Sequence, residues 1–184
     1  MIDPEVILKC LKGEKSAEKA LFCAFAPKVY TICSRYSANG LESKDLLQEC
    51  FIIIFKKLNT YDSNKGEIGA WIYKVCIRTI LNILKKQNKN THVIYMETLQ
   101  DIPFSESELE EVGETDLISS IQKLPKGYRD VINLFVFENW SHKQIAQHLE
   151  ISESTSRSQL NRAKSALKII LLKSKKKHYE KRLA

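Results

Sequence analysis

Four side chains near the C-terminal end, Arg157, Ser158, Asn161 and Arg162, recur at the three- and four-residue spacing that sets them on one face of a helix. All four can hydrogen-bond to base edges or hold phosphates in a major groove, so the chemistry they offer is recognition of duplex DNA. A second stripe, Lys74, Arg78, Asn82 and Lys86, recurs every four positions, with Trp71 and Tyr73 at its start. Cations beside aromatic rings suit single-stranded nucleic acid, where the cations track phosphates and the rings stack on unpaired bases. A core tryptophan with a solvated basic edge meets the same spacing. A third group, Asp45, Gln48, Glu49 and Ile52, sets an apolar residue among acids and an amide on a helix face that should meet water. A docking surface has that mixture, and so does chance. No Ser or Tyr stands in a nucleophilic constellation and no carboxylates cluster for a metal. No catalytic residue, cofactor or metal is therefore expected, and the chain is not expected to be an enzyme.

The elements that must position these groups read as helices throughout, with four Pro, six Gly and no alternating strand pattern. Asp3-Pro4 is a cap and first-turn pair that opens a short helix to about Lys12. A second helical stretch over 16–37 is expected to kink or break near Pro27. Asn39-Gly40 marks a turn. Over 43–58 the set Leu46, Leu47, Cys50, Phe51, Ile54, Phe55 and Leu58 forms one buried face, which leaves the Asp45–Ile52 group on the other. A turn-rich loop over 61–66 leads into a long helix over 68–87 that carries the basic stripe.

Towards the C-terminus, Leu117, Ile118, Ile121 and Leu124 suggest a short helix ended by Pro125, and a second follows over 128–138. Ser141 and Gln144 make a capping box. Ile145, Ala146 and Leu149 then line one apolar face, and Ala146 is small enough for a second helix to cross closely. The turn Glu150-Ile151-Ser152 buries its isoleucine and offers Ser152 as the next cap. The helix after it holds Leu160, Ala163, Leu167 and Ile170 inward. Residues 141–173 thus read as a helix-turn-helix with Arg157, Ser158, Asn161 and Arg162 outward, although plain bundle structure has the same amphipathic pattern.

Composition sets these elements in two domains. Eight acids and no Lys or Arg occur over 90–116, so with a total charge of +7 the flanking parts carry +15. The expected organisation is all-α: a helical domain over 1–89, an acidic flexible linker over 90–116, and a helix-turn-helix domain with a basic tail over 117–184. Cys10, Cys23, Cys33, Cys50 and Cys76 are odd in number and lack C-x-x-C pairing, so they read as reduced and mostly buried. The acidic N-terminus lacks a signal-peptide pattern and no apolar run is long enough to span a bilayer, so a cytoplasmic location is expected.

With these segments in order, the chain resembles the extracytoplasmic-function sigma factors of bacteria over about 17–87 and 117–172. Asp45-Leu46-Leu47-Gln48-Glu49-Cys50-Phe51 is similar to that family's D-x-x-Q-E-x-F helix, which grips the clamp of core RNA polymerase. Tyr61-Asp62, Lys65-Gly66 and the run from Ala70 to Lys74 look like its segment for melting and capturing the minus-ten element. Leu124-Pro125, Tyr128-Arg129, Ser141 to Ala146, Ile151-Ser152, Thr155 and Arg162-Ala163 follow its minus-thirty-five-binding domain. There are departures: Ile77-Arg78 stands for an Arg-Asn pair, Asn82 for an Asp, Glu150 for the turn glycine and Ser156 for a valine.

The resemblance implies a sigma factor that joins core RNA polymerase and directs promoter-specific initiation, including strand opening. It assigns polymerase binding to Asp45, Gln48, Glu49 and Ile52, and minus-ten contacts to Tyr61, Asn64, Lys65, Trp71, Lys74, Arg78 and Asn82. Minus-thirty-five contacts fall to Ser154, Thr155, Arg157, Ser158, Asn161, Arg162 and Lys164. Expected partners are core polymerase, promoter DNA as duplex and melted strand, and an anti-sigma factor, with the acidic linker in the polymerase's RNA path. Two rivals stand beside this reading: a helix-turn-helix regulator that binds duplex DNA without joining polymerase, and a DNA-processing enzyme.

Overall fold

The structure is a computed structural model that describes residues 2–88 and 114–183. The chain divides into two compact units, Met1–Thr91 and His92–Ala184. Among the described residues every regular element is helical, so the chain is all-α. Most of the acidic stretch lies outside the described residues. Its last three positions, 114–116, form the first turn of a helix.

The first unit holds α1 (Pro4–Leu11), α2 (Lys15–Tyr36), α3 (Gly40–Lys57) and α4 (Ile68–Asn88). The α1 cap forms as expected, with the Asp3 carboxylate accepting from the Glu5 N–H at 2.9 Å. α2 continues through Pro27, so of the kink or break expected there the break does not occur. Cys23 and Pro27 both lie exposed, so the carbonyl that loses its intrahelical donor can take one from water. Asn39 caps α3, its side chain accepting from the Glu42 N–H at 3.0 Å while the Glu42 carboxylate reaches back to the Ala38 N–H at 2.8 Å. The core is built from Leu21, Val29 and Ile32 of α2, Leu46, Phe51 and Ile54 of α3, and Ile72 and Ile80 of α4. At its centre Cys33, Cys50 and Cys76 meet from three helices as free, buried thiols. Hydrogen bonds with Cys50, together with burial, push the Cys33 and Cys76 thiols well above the ordinary range.

The second unit holds α5 (Glu114–Gln122), α6 (Lys126–Ile132), α7 (His142–Leu149) and α8 (Glu153–Leu183). The helix expected over 128–138 starts earlier and changes register part way, becoming a π-helical turn over Asn133–Phe137. At the change of register the fully buried Asn133 side chain donates to the Arg129 carbonyl at 2.9 Å, a carbonyl that also accepts from the Asn133 backbone N–H. Leu134, Val131 and Ile121 pack with Ile145 of α7 and Leu160, Ala163 and Leu167 of α8 in one core. No described helix is long and apolar enough to cross a membrane.

Candidate nucleic-acid and docking surfaces

On α3 the apolar face is buried, and Asp45, Gln48, Glu49 and Ile52 all lie exposed on the opposite side, Ile52 at 58%. Asp45, Gln48 and Glu49 hold no ion pair or hydrogen bond among the described residues. Two carboxylates and an amide around an uncovered isoleucine are thus left with their hydrogen-bonding capacity unspent, as a surface that meets a partner requires.

Between α3 and α4 the chain makes two short 3-10 turns, Leu58–Thr60 and Ser63–Lys65. Asp62 organises the second, accepting from the Asn64 N–H at 3.0 Å and pairing with Lys65 at 3.4 Å. The backbone bond first and Lys65 second hold its carboxyl below the usual range. Gly66 closes the loop at φ 135, a conformation that side chains resist, and the Tyr61 hydroxyl donates to its carbonyl at 3.1 Å. The Tyr61 ring meets Trp71 of α4 edge-on at 5.9 Å. Both rings are half-buried, and Asn64 and Lys65 of the loop are exposed. Along α4, Lys74, Arg78, Asn82 and Lys86 are exposed and without partners among the described residues.

In the second unit the capping box at α7 is complete: the Ser141 hydroxyl accepts from the Gln144 N–H at 3.3 Å, and the Gln144 side chain accepts from the Ser141 N–H at 2.8 Å. α7 ends at Glu150 in the left-handed region, φ 58 and ψ 43, where a glycine would be unstrained. Ile151 is half-buried, less covered than its place in the turn led us to expect. Ser152 then caps α8, accepting from the Thr155 N–H at 3.0 Å.

The predicted reading residues on α8 fall into three kinds. Asn161 and Arg162 are exposed and without partners. Arg157 is exposed but paired with Glu153 at 3.2 Å, Ser158 turns its hydroxyl back onto the Thr155 carbonyl at 3.0 Å, and exposed Ser154 shares a hydrogen bond with Ser152 at 2.8 Å. Thr155 and Lys164 are half-buried. Behind this face Ser156 is fully buried and bonded to His142 Nδ1 at 2.9 Å, a contact that sequence reasoning missed. The anomalous serine at a core position was legible, but its partner fourteen residues away was not.

The family model described as "Sigma-70 region 2" matches residues 21–90, and "Sigma-70, region 4" matches residues 115–167. RNA polymerase sigma factor SigV of Bacillus subtilis (strain 168) is 30% identical over 146 residues, covering 78% of this chain and 84% of that protein. ECF RNA polymerase sigma factor SigW of the same organism is 24% identical over 169 residues, covering 85% of this chain and 90% of its own length. A solved structure of the sigma factor RpoE in complex with the anti-sigma factor NepR from Bartonella quintana superposes at a TM-score of 0.43 and 17% identity, over 83% of this chain and 95% of that one.

Proposed function

The chain belongs to the extracytoplasmic-function sigma factors of the sigma-70 family, subunits that direct transcription initiation with RNA polymerase, and from that premise we propose how its two units divide the work. The first unit docks on core polymerase through Asp45, Gln48, Glu49 and Ile52 and takes the melted minus-ten strand. Tyr61, Asn64 and Lys65 of the loop contact an unpaired base, Trp71 wedges the stack, and Lys74, Arg78 and Asn82 follow the phosphates. The second unit reads the minus-thirty-five duplex with Ser154, Thr155, Arg157, Ser158, Asn161, Arg162 and Lys164. As a non-catalytic subunit it supplies recognition while the polymerase supplies chemistry. It works in the cytoplasm, held by an anti-sigma factor until released, with its acidic linker in the polymerase's RNA path.

The observation that carries this division is the unspent hydrogen-bonding capacity of Asp45, Gln48 and Glu49 in one unit and of Asn161 and Arg162 in the other. Arg162 is a free, permanently charged fork, the side chain that pairs best with a guanine edge. The test is run-off transcription with purified chain and core polymerase on genomic template, together with permanganate mapping of unpaired thymines. Start sites with reactive thymines around minus ten are expected. Transcripts whose start sites share no upstream element would remove the duplex-reading role from the second unit.

A further inference from the structure

His142 stands where three elements of the second unit meet. It is the first residue of α7; its ring stacks on Phe135 of the π-helical turn, centroids 4.8 Å apart, and its Nδ1 lies 2.9 Å from Ser156 Oγ on α8. Ser156 is fully buried, and His142 is the one side-chain partner of its hydroxyl among the described residues. Ser156 immediately precedes Arg157 on the helix that carries Asn161 and Arg162. We propose that His142 is a positioning residue for promoter reading: by holding the buried Ser156 hydroxyl it fixes the roll and seating of α8, and with them the aim of Asn161 and Arg162.

The asymmetry of the pair supports a clasp rather than incidental packing. His142 is only half-buried and can turn to water, whereas Ser156 has no water to turn to. Removing the imidazole takes away the one side-chain partner of a buried hydroxyl, which must then turn back onto a carbonyl of its own helix, as Ser158 and Ser174 do, or reach water through a shift of α8. Removing the hydroxyl strands nothing. Burial first, and Arg157 second, hold His142 below its ordinary value while Glu153 opposes them, so near neutral pH the ring is uncharged, and in the tautomer protonated at Nε2 its Nδ1 accepts a hydrogen bond from the serine hydroxyl. Reading a base edge tolerates misplacement of only about half an ångström, so a small roll costs selectivity before it costs attraction to phosphates.

The proposal rests on α8 as the duplex-reading helix, and the experiment separates the two. Wild-type full-length chain with core polymerase is used to recover a preferred duplex from a pool randomised at the minus-thirty-five position. Affinity for that duplex is then compared with affinity for a scrambled one. If wild type enriches no duplex, the reading of α8 fails and the proposal with it. If it does, His142→Ala is expected to lower the preferred-to-scrambled ratio about tenfold with the scrambled affinity unchanged. His142→Asn, whose amide reaches the place of Nδ1 and keeps the bond without the ring, should stay within about twofold of wild type. His142→Ala with Ser156→Ala should recover part of the ratio that His142→Ala loses, since the stranded hydroxyl is gone. The proposal is overturned if His142→Asn behaves as His142→Ala, if the second substitution deepens the loss, or if both duplexes are weakened alike. Thermal melting beside each measurement separates a change of aim from unfolding.

Discussion

Asp130 is 5% exposed, has one oxygen 3.0 Å from Lys126, and leaves its other oxygen without a hydrogen bond. Burial pushes its carboxyl up and the attraction of Lys126 only partly opposes that. A carboxyl raised in the folded state contributes stability that is fully present below its unfolded value and is lost as pH rises through the folded one. Above the unfolded value burial of this carboxyl therefore costs the unit stability, and Asp130→Asn should stabilise it by about 1 kcal/mol at neutral pH. The gain should vanish below about pH 4, where both forms are neutral. Melting curves of the two proteins from pH 7 to pH 3.5 check this, and a gain independent of pH would contradict it. Glu150, at φ 58, is a second strained position, and Glu150→Gly should add about 1 kcal/mol in the same assay while Glu150→Val should subtract as much. The strain at Glu150 was readable only through the family resemblance, which sets a glycine at that place in the turn. The His142–Ser156 bond was not, since it depends on how two helices cross and no spacing encodes that.

At the scale of elements, helix periodicity located the faces well because burial on one side of a helix repeats at fixed spacing. It failed where the helix changes register. The π turn begins at the fully buried Asn133, whose side chain donates to the carbonyl four residues back, and nothing in its spacing distinguishes it from an ordinary outward asparagine. Pro27 does not break α2. Because it lies on the wet side of α2, replacing it should restore a backbone bond without opening a cavity. Pro27→Ala is expected to stabilise the first unit by about 1–2 kcal/mol, the interior-proline cost less the entropy a proline removes from the unfolded chain, read by denaturant unfolding. α3 supports a functional prediction. Glu49 is exposed and unpaired, so Glu49→Lys should leave melting unchanged within about 0.5 kcal/mol. Under the proposed docking it should abolish capture of core polymerase in a pull-down. Equal capture by the variant would move the docking surface off this face.

For the whole molecule, the order of motifs along the chain carried more than any one of them: a docking face, an aromatic-basic helix, an acidic stretch and a helix-turn-helix in that sequence are hard to meet by chance. What that order leaves open is how independently the two units act. Each has its own core and its own surface, and Trp71 and Arg162 lie in different units. Substitutions at sites without shared contacts add in free energy and so multiply in rate. Arg162→Ala should lower duplex selection by about 1–3 kcal/mol if it reads a base, and should instead weaken binding equally at every sequence, with selection unchanged, if it holds a phosphate. Trp71→Ala should slow strand opening while leaving duplex binding intact. At polymerase concentrations below saturation the initiation rate is the product of binding and opening, so the double variant's loss should equal the product of the two single losses. On a template premelted around minus ten, Trp71→Ala should regain wild-type rate and Arg162→Ala should not. A double variant no worse than the weaker single one would mean that one step controls both, and that reading the duplex and opening it are a single event.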